Sequence, residues 1–258
     1  MPDDHKEWGR QLSENDPPTI AKDNTSGLAK EDQAVFSGVI ADAFLYEPPF
    51  TETLSQGSAS LIARVSPGVV VKVPRYSWWH SEAASNHPFV KGIRRNFEVE
   101  EQLLDILGIH PRIIRYIGVS EEPRGLLFAE ASDGNLQAYI DRHDDTIDLS
   151  LRLKWCSQAA EAIQYTHQKG VIHSDLRPEN FLLHKNPEDT LDLLLCDFGG
   201  LTNGGIDGGH VPDSGFFNPC KPWVSTEAMD IFSLGSVFYT ITAIGPTNLL
   251  GHLIRWKK

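Results

Sequence analysis

Residues 172–183 read Ile-His-Ser-Asp-Leu-Arg-Pro-Glu-Asn-Phe-Leu-Leu, and Cys-Asp-Phe-Gly follows at 196–199. Apolar runs flank both pieces, with Val171-Ile172 and Phe181-Leu182-Leu183 around the first and Leu193-Leu194-Leu195 before the second. Together the two pieces carry a constellation of polar side chains, Asp175, Asn180 and Asp197.

The constellation resembles the catalytic loop of the protein kinase family, H-R-D-L-K-P-E-N, followed by the family's metal-binding D-F-G. Ser174 stands where the family has Arg, and Arg177 where it has Lys. The resemblance implies a role for each position. Asp175 accepts the proton of the acceptor hydroxyl. Asn180 and Asp197 hold Mg²⁺, a cation that prefers hard oxygen ligands. Arg177 places a fixed positive charge near the transferred phosphate, though its planar fork is not equivalent to an ammonium. Ser174 cannot form the bidentate pair that an Arg makes with a phosphorylated activation segment, so switching by that route is not expected.

Working outward, Lys72 ends the run Val69-Val70-Val71-Lys72 and resembles the family's strand Lys that contacts the α- and β-phosphates. That Lys needs a carboxylate from the next helix. Glu98, Glu100 and Glu101 are all available. Glu100 is preferred, because it stands ten residues before His110-Pro111 with Leu104 one turn later on the same side. The phosphate-covering loop aligns with Leu54–Ile62, where only Gly57 remains of the family's three glycines. Glycine matters there because backbone must approach phosphate without a Cβ. Phe128-Ala129-Glu130-Ala131 resembles the segment whose backbone pairs with adenine at Glu130 and Ala131. Either Phe128 or Ala129 stands at the back of that pocket. Asp230-Ile231-Phe232-Ser233-Leu234-Gly235 resembles D-x-W-S-x-G, whose Asp hydrogen-bonds the catalytic-loop backbone. No A-P-E is found, since Thr226-Glu227 lies too close to Asp230.

The chain has 258 residues, a net charge of −12 and a pI near 5.2. That length suits one domain of two lobes. The acidic balance argues against a nucleic-acid or anionic-membrane surface. Cys156, Cys196 and Cys220 have no regular spacing, so neither a disulfide framework nor a zinc site is expected. A reducing, intracellular and cytoplasmic setting fits. There is no 18-residue apolar run and no signal-peptide core, so no membrane association is expected.

Residues 1–33 are polar and charged and read as a disordered or loosely attached extension. Residues 34–131 read as an N-lobe, with an apolar stretch at 34–46. They continue with a β-hairpin over 51–75 turning at Ser66-Pro67-Gly68, a loop bearing Trp78, Trp79 and His80, a helix over 92–107, and strands over 113–119 and 125–129. Residues 132–258 read as a partial C-lobe. It carries a helix over 149–168 that buries Leu149, Leu153, Cys156, Ala160 and Ile163. A glycine-rich mobile segment at 199–227 and a helix over 229–243 buried on nearly all sides follow. The tail 248–258 supplies at most one short amphipathic helix where the family has three. The apolar surface left there predicts a partner or self-association.

The expected architecture is α+β, a two-lobed protein-kinase-like fold with a β-rich N-lobe and a mostly helical C-lobe lacking its last helices. The expected activity is ATP-dependent phosphorylation of a Ser/Thr hydroxyl on a protein substrate, with ATP and Mg²⁺ as cofactors. The alternative is a pseudokinase, a nucleotide-binding or scaffold module with little transfer activity. The sparse glycine loop and the missing A-P-E favour that alternative. Intact Lys72, Asp175, Asn180 and Asp197 oppose it.

Overall fold

The computed structural model describes residues 52–57, 59–74, 88–200, 202–209 and 215–243. The expected extension 1–33, the stretch 34–46, the Trp78-Trp79-His80 loop and the tail 248–258 lie outside the described residues.

The upper lobe is a five-stranded antiparallel sheet. It comprises β1 (Glu52–Gln56), β2 (Ser60–Ser66), β3 (Val69–Pro74), β4 (Tyr116–Glu121) and β5 (Arg124–Ala129), in the order β1-β2-β3-β5-β4. β-Branched residues fill β3, the central strand, which is almost wholly buried. Helix α1 (Pro88–Leu107) lies against it. It buries Phe97, Leu103, Leu104 and Leu107, each worth about 2 kcal/mol. Gly108 stops the helix with φ +63, and its N–H donates to the Leu104 carbonyl at 2.8 Å. That left-handed position after a helix favours glycine.

The lower lobe is mostly helical. Helix α2 (Leu136–His143) is capped by Asn135, and α3 (Leu149–Gln168) by Asp148. Strands β6 (Phe181–Lys185) and β7 (Leu191–Leu195) pair antiparallel. They carry the two loops of the constellation at one end, because Leu195 faces Phe181 in the register. A two-residue pair, β8 (Thr202–Asn203) and β9 (Ile206–Asp207), follows, and α4 (Glu227–Thr242) ends the described chain. One apolar cluster runs from Val70 and Phe97 above to Trp155, Val237 and Ile241 below. The chain thus has the α+β two-lobed architecture.

Several expectations need correction. The fourth strand starts at Tyr116, not Ile113, because Ile113 makes a parallel bridge to Leu195 instead. Helix α3 has the expected span and buries Ile163 as expected, but the rest of its inward face is a different one. Arg152, Trp155, Gln158, Ala159, Ala162, Ile163 and Thr166 point inward, while Leu149 and Leu153 are more than half exposed. Helix α4 is not buried all round. Met229, Leu234, Val237 and Ile241 are inside, and Ile231, Phe232 and Tyr239 lie on the surface. Thr226 caps α4 through the Met229 amide. Within the described part of the glycine-rich segment, the chain is not a loose linker. Gly208 lies so close to Gly199 and Gly200 that a Cβ would meet their backbone at 2.5–2.7 Å.

Candidate functional site

Lys72 and the three side chains of the constellation, Asp175, Asn180 and Asp197, converge where the lobes meet. Lys72 leaves β3 on the face turned toward α1. Its Nζ lies 2.7 Å from Glu100 Oε2 and 2.7 Å from Asp197 Oδ1. Sequence preferred Glu100 among Glu98, Glu100 and Glu101, and the ion pair is with Glu100. Glu98 pairs with Arg94 on the solvated side of the helix. The other oxygen of Glu100 accepts from the Phe198 N–H at 3.3 Å. One buried carboxylate therefore fastens α1 both to β3 and to the backbone after Asp197. The Lys72 ammonium lies 5.8 Å from the centre of the Phe97 ring. Burial pulls the Lys72 pKa down, but the Asp197 and Glu100 carboxylates more than offset it and hold it above the ordinary lysine range. Burial likewise pushes Glu100 up, against the pull of Lys72.

Below, Asn180 donates through Nδ2 to the Asp175 carbonyl at 2.7 Å and to Asp175 Oδ2 at 3.0 Å. Its Oδ1 is thereby left as the acceptor end of the side chain. Arg177 Nε stands 3.6 Å from Asp175 Oδ2. Burial raises the Asp175 pKa above its ordinary value, with the charges of Arg177 and His173 and the Asn180 hydrogen bond working the other way.

The loop is held from beneath by Asp230, which is fully buried. Its carboxylate accepts from the His173 N–H at 2.7 Å, the Ser174 N–H at 2.8 Å and His167 Nε2 at 2.9 Å. The two backbone bonds agree with the expectation for Asp230. The His167 bond has no sequence signal, because it joins residues of two helices that are 63 positions apart. His173 Nε2 donates to the Cys196 carbonyl at 3.2 Å and its ring packs on Phe198. The two loops are thus pinned to each other. Cys196 itself is a half-buried residue whose thiol pKa is driven up by desolvation, so it stays protonated.

The register decides which of Phe128 and Ala129 shares the sheet face of Lys72. Val70 pairs with Phe128 and Lys72 with Leu126. Cross-strand partners share a face, and neighbours along a strand alternate. Phe128 therefore shares the Lys72 face and Ala129 does not. Phe128 is buried against Tyr116. Of the two hinge residues, Glu130 spends its N–H on the Gly68 carbonyl at 2.9 Å and its carboxylate on Arg64. The Ala131 N–H has no such partner among the described residues. Gly57 lies in the turn between β1 and β2, with its N–H donating to the Ser60 carbonyl at 2.8 Å. A Cβ there would meet only ordinary contacts, the nearest at 3.6 Å.

Asn180 and Asp197 are oxygen donors of the kind Mg²⁺ takes. One carboxylate and one amide, with phosphate oxygens completing the shell, is a donor set that fits this ion. Among the described residues no cluster of three or more His, Cys, Asp and Glu forms a metal cage. No helix among them is long and apolar enough to cross a membrane.

Comparison with known proteins points the same way. The family model described as protein kinase domain matches residues 81–247, more than half of the chain. The match begins after Lys72 and the β1–β3 strands. Serine/threonine-protein kinase PKH3 of Eremothecium gossypii is 28% identical over 208 residues, covering 74% of this chain and 27% of that protein. Sucrose non-fermenting protein kinase 1 of Fusarium virguliforme is 31% identical over 152 residues, covering 56% and 21%. Receptor tyrosine-protein kinase erbB-4 of Homo sapiens is 28% identical over 164 residues, covering 60% and 12%. The chain thus spans less than a third of the length of each of these relatives.

Proposed function

As this chain belongs to the protein kinase family, we propose that it transfers the γ-phosphoryl group of ATP, with Mg²⁺, to a Ser or Thr hydroxyl of a protein substrate. The observation that carries this reading is the Lys72 ammonium, held 2.7 Å from both Glu100 and Asp197 beside the loop that bears Asp175.

Each side chain then has work it is suited to. Asp175 takes the proton of the attacking hydroxyl as the oxygen forms its bond to the γ-phosphorus and the bond to the β-phosphate oxygen breaks, releasing ADP. Its raised pKa makes it a better base than a solvent-exposed aspartate. Asn180 orients Asp175 through two hydrogen bonds. Arg177 offers positive charge toward the transferred group. Lys72 binds the α- and β-phosphates, and Glu100 fixes its position. Asn180 Oδ1 and the Asp197 carboxylate would hold Mg²⁺, which when bound neutralises charge on the phosphate oxygens. The adenine lies against Phe128, with the Ala131 N–H as its backbone donor. The Leu-Arg-Pro-Glu-Asn run and the name of the Eremothecium gossypii relative support a Ser/Thr acceptor.

The test is label transfer from ATP to the chain itself or to a generic basic protein. Asp175→Asn should lower the rate about 10²- to 10⁴-fold, the usual worth of a positioned base, and leave nucleotide binding intact. Equal signal from wild type and variant would remove Asp175 from the mechanism. A wild-type protein whose Tm rises with ATP and Mg²⁺ but which transfers nothing is the nucleotide-binding scaffold instead.

A further inference from the structure

Arg64 belongs to none of the roles above, yet it joins three elements at the mouth of the cleft. It projects from β2 opposite Glu52 of β1 in one register and opposite Val70 of β3 in the other. Val70 and Lys72 point to the same side of β3, so Arg64 stands on the sheet face that carries Lys72. Its guanidinium makes a two-pronged pair with Glu130, with Nε 2.9 Å from Oε2 and Nη2 on Oε1. Its remaining prong holds the Glu52 carboxylate. A planar fork shared between two carboxylates fixes direction as well as distance, which a lysine ammonium cannot do. The Glu130 N–H is meanwhile bonded to Gly68 at the β2–β3 turn. A register shift follows directly, between Arg64 and Ser66, leaving Val65 as the extra residue. Such bulges re-aim a neighbouring side chain.

We propose that Arg64 is a positioning residue for the nucleotide, fastening the β1–β2 roof to the segment after β5 and so setting the height of the roof over the cleft. This rests on the ATP reading above. The strap compensates for the sparse glycine turn. With Gly57 alone at the tip, the hairpin has little freedom to settle onto phosphate by local backbone adjustment. Its fit must then be set by how its base is anchored. Glu130 is the anchor on the far side. Its carboxyl is held below the ordinary glutamate range, chiefly by the Arg64 hydrogen bond.

The experiment is a double-mutant cycle on nucleotide binding by the full chain, using Arg64→Gln, Glu130→Gln and the double variant with a fluorescent ADP. Wild type should bind, and each single variant should bind about fivefold more weakly, the scale of a partly exposed two-pronged ion pair. The double variant should bind no worse than either single one, because one interaction is lost once. In label transfer, KM for ATP should rise by the same factor while kcat changes less than twofold. Amide exchange in residues 52–56 should quicken in the variants, with β3 and β5 unchanged. Equal affinity in all four proteins overturns the proposal while leaving the ATP reading intact. Additive losses, or a fall in kcat at unchanged KM, also overturn it. A wild-type protein that binds no nucleotide overturns the ATP reading and the strap's role together. In that case exchange in residues 52–56 still tells whether the strap holds the hairpin.

Discussion

Ser174 is a strained position beside the site. Its φ is +60, its side chain is buried, and its Oγ has no hydrogen-bond partner among the described residues. Left-handed backbone in a residue with a Cβ costs of order 1 kcal/mol or more, and a buried unpaired hydroxyl adds about 1–3 kcal/mol. The loop accepts this because its N–H and that of His173 are both locked onto Asp230. Ser174→Gly removes both costs and keeps the backbone bond, against a loss of about 0.5–1 kcal/mol through the freer unfolded chain. It should therefore stabilise the protein by about 1 kcal/mol, read as a higher urea midpoint with an unchanged m-value. A lower midpoint would mean that Oγ is satisfied in solution. Sequence exposed Asp175, Asn180 and Asp197 because a short local pattern encodes them. It preferred Glu100 over Glu101 without fixing the choice, and it left Phe128 against Ala129 open. Those choices depend on helix phase and strand register, which only packing fixes. Arg64 gave no local sign of its role, because its partners are 12 and 66 positions away.

Among the elements, α3 shows why apolar spacing can find a helix and still miss its buried face. Leu149, Leu153, Cys156 and Ala160 make one regular stripe. The stripe through Arg152, Trp155, Ala159, Ala162 and Thr166 is equally regular, and it is the one inside. An arginine at the head of a stripe marks it as outward by composition. Here the guanidinium is fully buried and satisfied. It donates to the carbonyls of Ile147, Ile241 and Asp144 and pairs with the Asp144 carboxylate at 2.6 Å. The Ile241 carbonyl lies in the last turn of α4, where the helix dipole favours a cation. Arg152 thus ties the start of α3 to the end of α4 and to the turn after α2. Arg152→Ala leaves buried carbonyls and the Asp144 charge without their donor. The expected loss is about 3–5 kcal/mol, seen as a Tm drop of roughly 10 °C or more for a domain of this size. A surface substitution such as Leu153→Gln, on the stripe that composition would choose, should change Tm by far less. Comparable effects at the two positions would mean that α3 packs the other way round.

At the scale of the molecule, Asp192 gathers the contacts that hold the segment before β4 to the lower lobe. Its Oδ1 receives Gln158 Nε2 and Lys154 Nζ from α3, each at 2.8 Å. Its Oδ2 faces Arg112 Nη1 at 3.4 Å. Arg112 also reaches Glu161, and the Leu107 carbonyl at the end of α1 accepts from the Tyr165 hydroxyl. Burial alone would raise the Asp192 pKa. The Lys154 and Gln158 hydrogen bonds, with the charges of Lys154 and Arg112, bring it down instead, from an ordinary 3.8 to about 2. A carboxylate whose folded value is depressed contributes stability that is fully present above its unfolded value. That contribution is lost as pH falls through the folded value. The window is therefore from near pH 4 down to about pH 2. The contribution at neutral pH is about 1 kcal/mol once screening by solvent is allowed for. Acidification also relieves the repulsion within a chain of net charge −12, which works in the opposite direction. Absolute stability mixes the two effects, but the difference between wild type and Asp192→Asn separates them, since the general repulsion is common to both. That difference should be flat from pH 7 to about 5, shrink below pH 4 and disappear near pH 2, as measured by urea unfolding at each pH. A difference that persists at pH 2, or one that grows as the solution is acidified, would mean that Asp192 holds the lobes together by shape rather than by charge.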